Sequence, residues 1–83
     1  MLPQLILYGT AACHLCDLAE AIVIPIAYQY HLQLSMVDIA EQSSSGDYET
    51  RIPVLRLELQ EGLLELDWPF DAATVTKFVS TKN

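Results

Sequence analysis

Tyr8-Gly9-Thr10-Ala11-Ala12-Cys13-His14-Leu15-Cys16 is the stretch on which the reading of this chain turns. Upstream, Leu5-Ile6-Leu7-Tyr8 is a short run of apolar, β-favouring residues closed by a Gly9-Thr10 turn, the composition of a buried strand. Downstream, Leu15, Leu18, Ala19, Ile22 and Ile26 recur at helical spacing, while Asp17 and Glu20 take the other side. The cysteines therefore stand at a strand-to-helix junction, Cys13 at the helix start and Cys16 one turn later. That spacing is short enough for the two sulfurs to bond.

Working outward, Pro25 has no N–H to donate, so it is expected to kink or shorten the helix near residues 28–31. Leu34-Ser35-Met36-Val37-Asp38-Ile39 reads as a second strand, and a helix-length crossover makes it parallel to the first. Residues 40–50 are polar, include Ser43-Ser44-Ser45-Gly46, and suit a loop with at most a turn or two of helix around Asp47-Tyr48-Glu49. Beyond them Leu55, Leu57 and Leu59 alternate with Arg56 and Glu58. A turn at Gln60-Glu61-Gly62 then leads to Leu63-Leu64-Glu65-Leu66, which makes a β-hairpin. Asp71 is placed to cap a last helix whose Ala72, Val75, Phe78 and Val79 share a face, with Lys77 and Lys82 near its negative end. The fold class is α/β: a four-stranded mixed sheet in the order β-α-β-loop/short helix-β-β-α, flanked by helices, in one domain over residues 1–83.

Size and charge narrow the function. The chain has 83 residues, of which 52% are hydrophobic, enough apolar material for one compact domain and too little length for two. Four basic residues face eleven acidic ones, for a net charge of −7. A surface of that sign argues against nucleic acid and against anionic membranes, and favours a monomer. The first residues lack the basic start of a signal peptide, and residues 21–27 are broken by Pro25, so the cytoplasm is the expected compartment. Two cysteines cannot staple a miniprotein; their placement has to carry the meaning.

Thiolate is the reactive form of cysteine, and the free N–H groups and partial positive charge at a helix N-terminus stabilise it. Cys13 is thus the favoured nucleophile and Cys16 the resolving thiol. A protonated His14 beside Cys13 would add to the effect, while no lysine is near. Other uses of the pair stay open. Zinc would need two further ligands, and only His14 and His31 offer the right chemistry. A metal or iron–sulfur cluster shared between two chains is less constrained. A non-catalytic interaction module on the same fold is the third alternative. His31, Tyr8 and Thr10 read as structural, and the carboxylates as a solvated surface.

The quoted stretch resembles the active-site entry of glutaredoxins and of short bacterial glutaredoxin-like proteins. Thr50-Arg51-Ile52-Pro53-Val54-Leu55 resembles the segment in which thioredoxin-fold proteins set a cis-proline opposite the CxxC. The resemblance implies a thioredoxin-like fold and thiol–disulfide oxidoreductase activity on a disulfide-containing protein or small thiol. It also implies catalytic Cys13 and Cys16, and a cis Ile52–Pro53 bond with the Ile52 backbone offered to an extended substrate. Arg51 and Trp68 complete the substrate-binding candidates, Arg51 as the partner for a carboxylate. No resident cofactor or metal is expected, and glutathione is the co-substrate to consider. The chain departs from glutaredoxins in having His14-Leu15 between the cysteines. It also has Asp67-Trp68-Pro69-Phe70-Asp71 where they carry a Gly-Gly pair beside the glutathione site.

Overall fold

The structure is a computed structural model that describes residues 4–10, 13–39, 51–60 and 62–80. The expected loop and turn of helix over 40–50 lie outside the described residues, as do Ala11, Ala12, Glu61 and Lys82.

Among the described residues, four strands and two helices follow in the order β1 (Gln4–Gly9), α1 (His14–Gln29), β2 (Gln33–Asp38), β3 (Val54–Leu59), β4 (Gly62–Asp67) and α2 (Ala72–Val79). The sheet order is β2-β1-β3-β4; β1 pairs in parallel with β2 and antiparallel with β3, and β3 and β4 form the hairpin. The expected mixed sheet is therefore present, with β1 inside it.

Strand alternation divides the sheet into two faces. Leu5 and Leu7 of β1 sit opposite Leu57 and Leu55 of β3, and all four are buried. They pack with Ala19, Val23, Ile26 and Ala27 of α1, Val75 and Val79 of α2, and Phe70. Both helices thus cover one face. The other face is mixed: Tyr8, Val54 and Ile39 form a small apolar cluster, and next to it Arg56 lies over the Tyr8 ring, 5.3 Å from its centroid.

Three expectations need correction. Pro25 neither shortens nor ends α1, which continues to Gln29. Pro25 is itself exposed, and the turn after it is held by burial of Ile26 and Ala27 in the core. The buried stripe of α1 is Cys16, Ala19, Val23, Ile26 and Ala27, rotated from the expected one, and Leu15 and Leu18 are each 44% exposed. Ile22 keeps a half-buried place against the core. Finally, Gly9 is the last residue of β1, paired with Asp38, rather than part of a turn.

The end of α1 is closed by backbone bonds of the Schellman type, Leu32 N–H to Ala27 O at 2.9 Å and His31 N–H to Tyr28 O at 3.2 Å. His31 takes the left-handed position there, with φ of 56°. Asp71 caps α2 as expected, its Oδ1 accepting from Thr74 N–H at 2.8 Å. That bond holds the Asp71 carboxyl below the usual carboxylate range.

Candidate active site

β1 ends at Gly9, and Thr10 carries the chain toward Cys13, whose N–H donates to Thr10 O at 3.3 Å. Cys13 is the N-cap of α1, with extended backbone (φ −98°, ψ 109°). Its sulfur accepts from Cys16 N–H at 3.1 Å, in the place where Ser, Thr or Asp ordinarily offers an oxygen. Cys13 and Cys16 are joined as a disulfide with Cα atoms 5.2 Å apart. The two sulfurs differ in surroundings: Cys13 is half-buried at the helix entry, and Cys16 is 7% exposed on the inner face of α1. Cys13 is therefore the more accessible residue of the two, and Cys16 the more buried.

Beside Cys16 lies a cavity of about 240 Å³ between α1 and β2, walled in part by Gly9, Thr10, Glu20, Met36 and Asp38. Neither Met36 nor Asp38 stands out in the sequence, since both belong to an ordinary strand pattern. Parallel pairing of Leu7 with Met36 and of Gly9 with Asp38 brings them to the site.

The remaining candidates gather at the same end of the sheet but on different faces. The Ile52–Pro53 bond is cis, as the resemblance implied, and a second cis bond joins Trp68 and Pro69. Val54 pairs with Tyr8 on one side and Asp67 on the other, so Pro53 enters the sheet at the end where β1 leads to Cys13, and Trp68 leaves it there. Ile52 packs on the Tyr8–Ile39–Val54 cluster. Arg51 donates to Asp67 Oδ1 at 2.8 Å and Glu65 Oε1 at 2.9 Å. Those bonds, Asp67's first, raise its pKa further above an already high value. Glu65 also accepts from Arg56 at 3.3 Å, so this carboxylate ties together two arginines. Trp68 turns to the helix-covered face and meets the Phe70 ring edge-on at 5.0 Å. His14 is exposed on the first turn of α1.

Among the described residues, no group of three or more His, Cys, Asp or Glu side chains is placed to hold a metal ion. Nor, among the described residues, is any helix long and apolar enough to cross a membrane.

A family model described as Glutaredoxin-like domain (DUF836) matches residues 4–80. No curated protein matches by sequence. Solved structures with a similar fold include a mutant thioredoxin from Halobacterium salinarum NRC-1, 21% identical with a TM-score of 0.80, where the match covers 95% of this chain and 73% of that one. Thioredoxin 1 from Thermosipho africanus TCF52B is 13% identical with a TM-score of 0.78, covering 95% and 92%. Protein Ne2328 from Nitrosomonas europaea is 24% identical with a TM-score of 0.69, covering 94% and 92%. At these identities the likeness is one of fold, and the fold is thioredoxin-like.

Proposed function

The chain belongs to the glutaredoxin-like domain family, and from that premise we propose that it is a thiol–disulfide oxidoreductase acting through Cys13 and Cys16. The observation that carries the reading is the asymmetry of the pair: a half-buried Cys13 at a helix N-terminus, its sulfur receiving an N–H, one turn before a buried Cys16.

In the reduced protein the Cys16 N–H and the positive end of α1 stabilise negative charge on Cys13. The Cys13 thiolate attacks one sulfur of a substrate disulfide, a Cys13–substrate disulfide forms, and the other half leaves as thiolate. Cys16 gives up its proton and attacks Cys13 Sγ, forming the Cys13–Cys16 bond and releasing the second half. Two electrons pass from the dithiol to the substrate, and the reverse sequence oxidises a partner. The sulfurs hold the electrons, so the reaction calls for no resident cofactor or metal. Arg51, Ile52, Pro53 and Trp68 are the proposed substrate contacts, at the end of the sheet where β1 leads to Cys13. The expected partner is a disulfide-bearing protein or small disulfide in the cytoplasm, met by a monomer. Glutathione, with two carboxylates, is a weaker fit, because Arg51 is already engaged by Glu65 and Asp67.

The test is trapping. Reduced Cys16→Ser protein mixed with the aromatic disulfide dithionitrobenzoate is expected to release one equivalent of coloured thiolate and hold the other as a stable adduct on Cys13. Cys13→Ser is expected to form no such adduct at that position. If native protein also stops at one equivalent, Cys16 does not resolve and the proposal fails.

A further inference from the structure

Gly9 ends β1 with a strand conformation open to any residue, since it pairs in register with Asp38 and is not among the positions of positive φ. Glycine weakens a strand, and where the backbone does not require it, a close approach by another group is the usual reason. The group here is Cys16. A Cβ built on Gly9 would lie 2.8 Å from Cys16 Sγ, closer than such atoms pack, and 3.0 Å from Cys16 Cβ, a tight contact.

We propose that Gly9 is a positioning residue for the resolving cysteine: the missing side chain is the space in which Cys16 Sγ lies when it is bonded to Cys13. This rests on the oxidoreductase reading for its consequence, and on packing alone for its cause. In the disulfide form the Cys16 sulfur is tethered to Cys13 and cannot swing away from a methyl group at position 9. In the dithiol form it can rotate about its one side-chain torsion and relieve the contact with the sulfur. A side chain at position 9 therefore disfavours the oxidised state more than the reduced one. The couple becomes more oxidising, and the step in which Cys16 thiolate attacks Cys13 Sγ and expels the substrate thiolate slows. The attack of Cys13 on substrate involves neither Gly9 nor Cys16 Sγ and should keep its rate.

The experiment compares native and Gly9→Ala full chains. In buffers of oxidised and reduced dithiothreitol, the variant is expected to shift the equilibrium about tenfold toward its dithiol, about 30 mV for a two-electron couple. With dithionitrobenzoate the first thiolate release keeps its rate and the second slows by about tenfold. An unchanged potential overturns the proposal, as does equal slowing of both releases. Stability provides a reading independent of turnover. Gly9→Ala should lower the unfolding midpoint less in a Cys16→Ala background, where the sulfur is gone, than in the native one. If the single variant does not fold but the double variant does, the space belongs to Cys16 and the proposal stands; if neither folds, it falls. Should native protein lack a reversible couple, the oxidoreductase reading fails by itself, and the stability comparison still judges the packing.

Discussion

The Cys13 sulfur occupies a capping position that oxygen usually fills, and this gives one residue two tasks. By accepting from the Cys16 N–H it helps start α1, and as the half-buried member of the pair it is the more accessible of the two, as the proposed nucleophile needs to be. Asp71 is the second capping side chain whose charge matters, and its effect has a definite sign. Its carboxyl is held below the ordinary value by the Thr74 bond, so the folded state favours the ionised form. The stabilisation is present above the unfolded carboxylate pKa and is lost as pH falls from about 4 through the lower folded value. Asp71→Asn, which can still cap, should flatten this acid limb, while Asp71→Ala should lower stability at neutral pH as well. Thermal unfolding of the three proteins between pH 2 and 7 measures both effects.

Among the elements, the strands were the most readable from sequence, because alternation of Leu55, Arg56, Leu57 and Glu58 reports directly on which face is covered. The α1 helix was harder. Its apolar residues are so numerous that Leu15, Leu18, Ile22, Val23, Ile24 and Ile26 allow more than one stripe, and only contact with β1 and α2 selects Val23 over Leu18. Pro25 was misleading because its cost falls on the exposed side of the helix, where the neighbouring turns still bury Ile26 and Ala27. The site divides in the same way. The Cys13–Cys16 spacing at a strand-to-helix junction is a local motif, and the cis Ile52–Pro53 bond is implied by the family resemblance. The pairing of Arg51 with Asp67 and Glu65, and the crowding of Gly9 by Cys16, depend on long-range register that no single segment encodes.

Two substitutions examine the elements directly. His31 closes α1 in a left-handed conformation that is costly for a side-chain-bearing residue, so His31→Gly should stabilise the protein by about 1 kcal/mol with no change in thiol chemistry. Leu57 is fully buried between β1 and the helices, and Leu57→Ala should cost about 2–5 kcal/mol. Denaturant titration with the disulfide intact measures each.

For the whole molecule, net charge is the property expected to sort disulfide substrates. A net charge of −7 on so small a body repels anionic disulfides before contact and draws cationic ones. Cystamine should therefore be reduced faster than oxidised glutathione, by on the order of tenfold at low salt, with the gap closing as ionic strength rises. Stopped-flow oxidation of the reduced protein by each compound would decide the matter, and equal rates at low salt would show that local contacts outweigh the net field.

The inner position of β1 has one further consequence, which concerns time. Among the described residues, strands β2 and β4 lie at the edges and each has one neighbour, whereas β1, like β3, is bonded on both sides and backed by the core. Edge amides can exchange their hydrogens through local fraying, but those of Leu5 and Leu7 are freed only when most of the sheet comes apart. The strand that leads into Cys13 is thus one of the two inner strands, which should be among the last parts of the sheet to open. If Cys13 exchanges disulfides as proposed, a partner that pulls on it works against a fixed anchor.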